Sequence, residues 1–128
     1  MLMKIENLTV RYGSIGAVET ISLSVRTGEI LSVIGANGAG KSTLLKAIAG
    51  LVKAESGRID FEGINILGHR PDQIVKLGIT MVPEGRRVFP NLTVRENLEM
   101  GGFTLVDKEL RTELIDLVLT TFPRLRER

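Results

Sequence analysis

The residues 35-GANGAGKST-43 bring together the group types that hold a polyphosphate. From Gly35 to Ser42 they fit G-x-x-x-x-G-K-[ST]. Glycines let successive backbone N–H groups turn inward into an anion-binding concavity, and the start of a following helix adds partial positive charge. In such a loop Lys41 reaches the β- and γ-phosphates, Ser42 offers a hydroxyl to Mg²⁺, and Thr43 donates on the α-phosphate side. The competing reading is a glycine-rich turn with a solvated lysine. At this composition the pattern arises by accident on the order of once in a hundred chains of this length, and here it also follows an apolar run and opens a helical pattern. The expected ligand is therefore a nucleoside triphosphate with Mg²⁺.

A second group with chemical potential stands in 79-ITMVPEGRR-87, where an apolar run ends in Val-Pro and Glu84 follows, with Arg86 and Arg87 behind it. A carboxylate at the lip of a buried strand serves as a metal contact, a switch or a solvated acid. Glu84 can also pair with Arg86 or Arg87, and the two arginines read equally as partner-facing or solvated. His69, the single histidine, sits in a Gly-rich turn before Pro71 and reads as a surface residue. The arginines 124, 126 and 128 read as a solvated helix end, favourable against the helix dipole.

The elements that must position these groups follow from periodicity. Residues 1–10 and 17–25 alternate apolar and β-branched residues, as strands do. Residues 30–34, ILSVI, form a nearly continuous apolar run, the pattern of a strand buried on both faces, and 79–82 is a second such candidate. Between them, 42–51 predicts a helix with Leu44, Leu45, Ile48, Ala49 and Leu51 on its apolar stripe. Residues 56–66 predict a hairpin turning near Gly63. Pro71 opens a short helix that Gly78 closes. Thr93 and Glu96 have the spacing of a capping box for a helix from about Val94. Asp107 caps a last helix, with Leu110, Leu114, Leu117, Val118 and Thr121 on one face, and Pro123 stops it. Strand–helix–strand order over 30–82 argues for a parallel α/β sheet. The early strands form an antiparallel annex, and everything beyond Glu84 is helical.

Composition narrows the classes. The chain has 128 residues, 43% hydrophobic and 25% charged, which suits one compact domain rather than disorder. Lys plus Arg number 17 against 15 Asp plus Glu, too small an excess to argue for nucleic acid or an anionic membrane. Cysteine is absent, which removes disulfides and thiolate metal sites and suits a reducing cytosol. No apolar run approaches the roughly 20 residues of a membrane span, and the N-terminus lacks a signal-peptide layout.

In order along the chain, Tyr12, GANGAGKST, SGRIDFEG and VPEGRRVFPNLTVRENL resemble the ATP-binding subunit of an ABC transporter. More narrowly, 81-MVPEGRRVFPNLTVRENLEMG-101 resembles the branched-chain amino-acid uptake type, in the shorter of its two paired ATPase subunits. The resemblance covers Met3 to Arg128. It implies a P-loop NTPase core of the ABC ATPase kind, α/β and incomplete, with an antiparallel β annex and the start of a helical subdomain. The expected division is 1–85 for the front half of the ATP-binding core and 86–128 for the beginning of the helical part. The resemblance further implies that Tyr12 stacks on adenine, against an alternative of ordinary packing. Val18 would touch base or ribose, although a strand valine is usually core. Gly35, Asn37, Gly38, Ala39, Gly40, Lys41, Ser42 and Thr43 would bind ATP. Ser42 and Glu84 would meet Mg²⁺, and Lys41 and Glu84 would take part in catalysis. Glu84 stands where the wider family usually carries glutamine. A carboxylate is the harder Mg²⁺ ligand and is repelled by the γ-phosphate when the metal is absent. Implied partners are transmembrane permease subunits, a second ATP-binding subunit and, indirectly, an extracytoplasmic amino-acid-binding protein. No nucleic acid is implied. The implied location is cytoplasmic, peripheral on the inner face of the membrane. In this reading the loop at Glu84 reports nucleotide state by moving the helical segment that begins at Thr93.

Three parts of that machinery do not occur: a Leu-Ser-Gly-Gly type signature, an apolar strand ending in Asp-Glu, and the late histidine, which His69 does not match. The nearest candidate strand, 114-LIDLVL-119, lies inside a helical pattern. Residues 1–128 alone are therefore expected to bind nucleotide with little or no turnover, because phosphoryl transfer also needs the metal acid and opposing donors. The alternative is a stand-alone nucleotide-binding module completed by a partner chain. An ATPase acting on nucleic acid or ribosomes is disfavoured by the modest charge and by 81–101. Apolar strand faces left without neighbours are expected to cause instability or association.

Overall fold

The computed structural model describes residues 1–36, 38–85 and 87–128, which divide into two compact units, Met1–Val82 and Pro83–Arg128. In the first, strands β1 (Met3–Tyr12), β2 (Ile15–Val25), β3 (Ser56–Phe61) and β4 (Ile64–Asn65) form one antiparallel sheet in the order β2-β1-β3-β4. Gly13 and Ser14 turn the β1–β2 hairpin, and Glu62 and Gly63 turn β3 into β4. Alternation, reset by a register shift between Ile5 and Leu8, sends Ile5, Leu8, Val10, Ile59 and Phe61 to the buried side of the sheet. The other side is polar, with Lys4–Glu6 and Arg58–Asp60 ion pairs at 2.7 Å. The hydrogen bond from Lys4 to Glu6, chiefly, raises the lysine pKa.

Helix α1 (Lys41–Ile48) covers the apolar face. Its buried residues are Leu44 and Ala47, with Ile48 packed beside them. Leu45 and Leu51, expected on the apolar stripe, are exposed. Helix α2 (Pro71–Lys76) begins at a proline whose missing N–H costs nothing in the first turn. The Arg70 N–H donates to Gln73 Oε1 at 2.9 Å, and Ile74 is buried. His69 is half-buried rather than fully exposed.

The parallel sheet expected over 30–82 does not form. Residues 30–34 and 79–82 belong to no strand, and Ile30 and Ile34 are 95% and 94% exposed. A strand buried on both faces needs neighbouring strands as hydrogen-bond partners and layers above and below it. Among the described residues no element takes those places, and the run stays outside the sheet with its apolar side chains exposed.

The second unit holds α3 (Val94–Gly101), α4 (Lys108–Thr121) and a 3₁₀ turn at Pro123–Leu125. The capping box at α3 is formed: Glu96 N–H donates to Thr93 Oγ1 at 3.1 Å, and Thr93 N–H to Glu96 Oε2 at 2.8 Å. Asp107 caps α4 by accepting from the N–H groups of Glu109 and Leu110 at 2.9 and 3.1 Å. The packed face of α4 is Ile115 and Leu119 with Val118, whereas Leu110, Leu114 and Leu117 point outward, contrary to the expected stripe. Segment 114–119 is helical, as expected.

Candidate functional site

The phosphate loop joins the exposed run 30–34 to α1. Gly38 and Gly40 take φ of 85° and 95°, a region that costs an L-residue steric strain and glycine nothing. Gly40 is also the residue before the first turn of α1. It lies so close to β2 that a Cβ there would stand 2.1 Å from the Ala17 carbonyl oxygen. The turn of the loop is thus set against the strand as well as against the helix. Sequence reading passed over Ala17, because its contribution is a backbone oxygen and carries no residue signature.

The first-turn N–H groups of any helix lack intrahelical acceptors. Among the described residues no side chain caps α1, whose first ladder bond runs from the Leu44 N–H to the Gly40 carbonyl at 2.9 Å. A helix N-terminus behind a glycine turn is a donor-rich, electropositive seat suited to phosphate. Lys41 adds a full charge there, with its ammonium donating to the Gly35 carbonyl across the loop. Ser42 is exposed and Thr43 half-buried, both in the first turn. Asn37, expected among the phosphate-binding residues, lies outside the described residues, as does Arg86.

Beside the loop a cleft of about 230 Å³ opens against β2, walled by Val18, Ile21, Val33, Leu44 and Lys41 among others. Its walls are mainly apolar, which suits packed side chains and not a polyphosphate. Val18 is 5% exposed and part of the core, which favours its packing role over a contact with base or ribose. Tyr12 is 50% exposed at the end of β1, so a large part of its surface is left uncovered by packing. It pairs with Ile15, two residues before Ala17. With strand rises near 3.3 Å and strand spacings near 5 Å, that register puts the backbone of Tyr12 on the order of 10 Å from that of Ala17, the residue Gly40 abuts.

Glu84 is exposed in the second unit, and its backbone carbonyl accepts a hydrogen bond from Arg87 Nε at 3.3 Å. Downstream, Asn97 of α3 makes bonds that sequence reading missed. Its side chain donates to the carbonyls of Phe89, Leu92 and Thr93 and accepts from the Phe89 N–H. The signal that pointed to it was a poor helix former in the fourth position of a well-capped helix. Among the described residues no cluster of three His, Cys, Asp or Glu could enclose a metal. No described helix is long and apolar enough to cross a membrane.

Comparison with known proteins agrees with this geometry. A family model described as ABC transporter matches residues 18–126. The chain is 47% identical over 127 residues to the high-affinity branched-chain amino acid transport ATP-binding protein BraG of Pseudomonas aeruginosa, covering 99% of this chain and 54% of that protein. It is 38% identical over 125 residues to the probable branched-chain amino acid transport ATP-binding protein LivF of Archaeoglobus fulgidus, covering 98% and 52%. Among solved structures, the ATP binding subunit of an ABC transporter superposes with a TM-score of 0.86 at 27% identity, over 100% of this chain and 52% of that one. An ATP-binding cassette of another ABC transporter gives 0.74 at 32% identity, over 89% and 45%. The chain spans about half the length of the curated relatives it matches. With the family model covering most of its length and a phosphate loop seated on an antiparallel annex, this chain belongs to the ABC transporter family.

Proposed function

We propose that the chain is the nucleotide-binding portion of the ATPase subunit of an importer for branched-chain amino acids. The observation that carries the reading is the loop Gly35–Thr43, closed on Ala17 through Gly40 and opening into the N-terminus of α1. Support for the transported class comes from BraG and LivF, the relatives named for that transport.

In this reading the backbone N–H groups of the loop and Lys41 bind the phosphates of ATP, with Gly35, Asn37, Gly38, Ala39, Gly40, Ser42 and Thr43 forming the cradle. Lys41 neutralises charge on the β- and γ-phosphates. Its bond to the Gly35 carbonyl orients the ammonium across the loop. Tyr12 offers a ring face to the adenine. The donor set also fits Mg²⁺, which takes few protein oxygens alongside phosphate oxygens and needs no carboxylate cage. Ser42 and Glu84 would hold it, and the bound metal supplies charge neutralisation at the phosphates. ATP hydrolysis, a second ATP-binding subunit and membrane-embedded permease partners belong to the whole protein in this proposal, as does a peripheral place on the inner face of the membrane.

The test is titration of the chain with ATP and Mg²⁺ by calorimetry, beside Lys41→Ala. Binding that weakens at least 100-fold in the variant, with an unchanged melting temperature, is the expected result. Equal affinity in both chains would remove the phosphate loop from the reading.

A further inference from the structure

The stretch between Glu84 and α3 is fastened to the helix at Phe89. The Asn97 side chain accepts from the Phe89 N–H at 2.9 Å and donates to the Phe89 carbonyl at 3.1 Å, so it pairs with both backbone groups of one residue, as a neighbouring strand would. The same amide nitrogen lies 3.3 Å from the Leu92 carbonyl and 2.9 Å from that of Thr93. Asparagine is among the poorer helix formers, and the capping box of Thr93 and Glu96 already starts α3 without it. Helix stability therefore does not account for an asparagine here. Its bonds go to the loop.

The geometry points to Asn97 as a positioning residue that makes the loop after Glu84 and helix α3 move as one body. This rests on the proposed reading of the chain as a transport ATPase in which Glu84 senses nucleotide. Eight residues separate Glu84 from Thr93, and a slack tether of that length spans up to about 27 Å and absorbs a displacement of a few ångströms. Fastening Phe89 to Asn97 leaves four residues of sequence between Glu84 and the fastened point. The Arg87 side chain further ties its end of that stretch to the Glu84 carbonyl. A shift at Glu84 then reaches α3 through two hydrogen-bonded links rather than dissipating in the loop. Coupling of this kind needs a connection that holds in both states, which backbone pairing by a short, rigid amide provides.

The experiment places the residue in the full-length subunit, assembled with its permease in proteoliposomes, and reads ATP turnover beside uptake of labelled leucine. Asn97→Ala removes the clamp while improving helix propensity, so a merely structural role predicts no loss. The expected result is ATP affinity and basal turnover within twofold of the parent, and leucine taken up per ATP reduced at least fivefold. Hydrogen exchange at the Phe89 amide, measured in the 1–128 chain, should accelerate at least tenfold. Asn97→Asp keeps the acceptor for the Phe89 N–H, loses the donor, and should fall between the two. Glu96→Ala, which weakens the cap but leaves the clamp, should keep uptake per ATP within twofold. Unchanged uptake per ATP in Asn97→Ala overturns the proposal, as does an equal loss in Glu96→Ala. Lys41→Ala is the separate control: leucine uptake that survives it overturns the ATPase reading itself, whatever Asn97 does.

Discussion

Gly40 faces the carbonyl oxygen of Ala17 at a distance that excludes any side chain: a Cβ on Gly40 would stand 2.1 Å from that oxygen. The contact joins the last turn of the phosphate loop to strand β2, and through the β1–β2 hairpin to Tyr12. It also separates Gly40, a fixed glycine of the motif, from Gly38, which stands at one of its variable positions. Gly38 has φ of 85° and nothing within 4 Å of its would-be Cβ, so Gly38→Ala bears only the backbone strain, about 1 kcal/mol. Gly40→Ala bears that strain and a backbone overlap, for about 3 kcal/mol or more. Chemical denaturation of the two variants should show this order. Equal losses would mean that the loop moves away from β2 at little cost.

Tyr12 is expected to act on the base and not on the phosphates. Removing a stacking ring costs about 1–2 kcal/mol per base, a loss of roughly 5- to 30-fold in affinity. Tyr12→Ala should weaken ATP by that amount and leave tripolyphosphate binding as it was. Tyr12→Phe should bind ATP as the parent does, because the ring face is kept. A common loss for both ligands in Tyr12→Ala would indicate a hairpin defect, and no loss would return Tyr12 to a plain surface position.

Replacing Glu84 by glutamine removes a negative charge and keeps the shape. In the proposed role of Glu84 its carboxylate is repelled by the γ-phosphate when Mg²⁺ is absent, so Glu84→Gln should bind metal-free ATP as well as the parent or better. With Mg²⁺ the amide is the weaker ligand, so the gain in affinity on adding metal should shrink. The measurement is ATP affinity across a Mg²⁺ titration. If both curves superpose, Glu84 is a solvated loop acid.

What the sequence made legible was decided within a few residues. The capping box at Thr93 and Glu96, the Asp107 cap, the turn at Gly63 and the proline start of α2 are all local geometry, and each stands where its residues placed it. The helix faces were harder to read. In α4 apolar residues occur on more than one side, and the choice between Leu114 with Leu117 and Ile115 with Leu119 is made by packing, which periodicity does not contain. The same holds for Leu45 against Ala47 in α1. Residues 30–34 and 79–82 show the limit most directly, since their composition specifies burial on both faces but pairing is a property of neighbours. At the site, the motif residues were legible from spacing, whereas Ala17 and the bonds of Asn97 depend on backbone atoms that have no letter in the sequence.

The uncovered run 30–34 carries its own prediction. Ile30 and Ile34 are 95% and 94% exposed, with Leu31 and Val33 partly so, in a segment that pairs with no strand among the described residues. Apolar, β-branched residues with free backbone donors and acceptors recruit other strands, and the expected result is association of the 1–128 chain at micromolar concentration. Sedimentation velocity should show oligomers whose fraction rises with concentration. Ile30→Lys with Ile34→Lys places charge on the run without removing any contact of the antiparallel core, so it should shift the chain toward monomer. Its melting temperature should hold within about 3 °C, because the substituted side chains are already in water. A parent chain that stays monomeric at about 50 μM would show that the run is covered in solution. A double variant that melts much lower would show that Ile30 and Ile34 are packed in a way their exposure does not express.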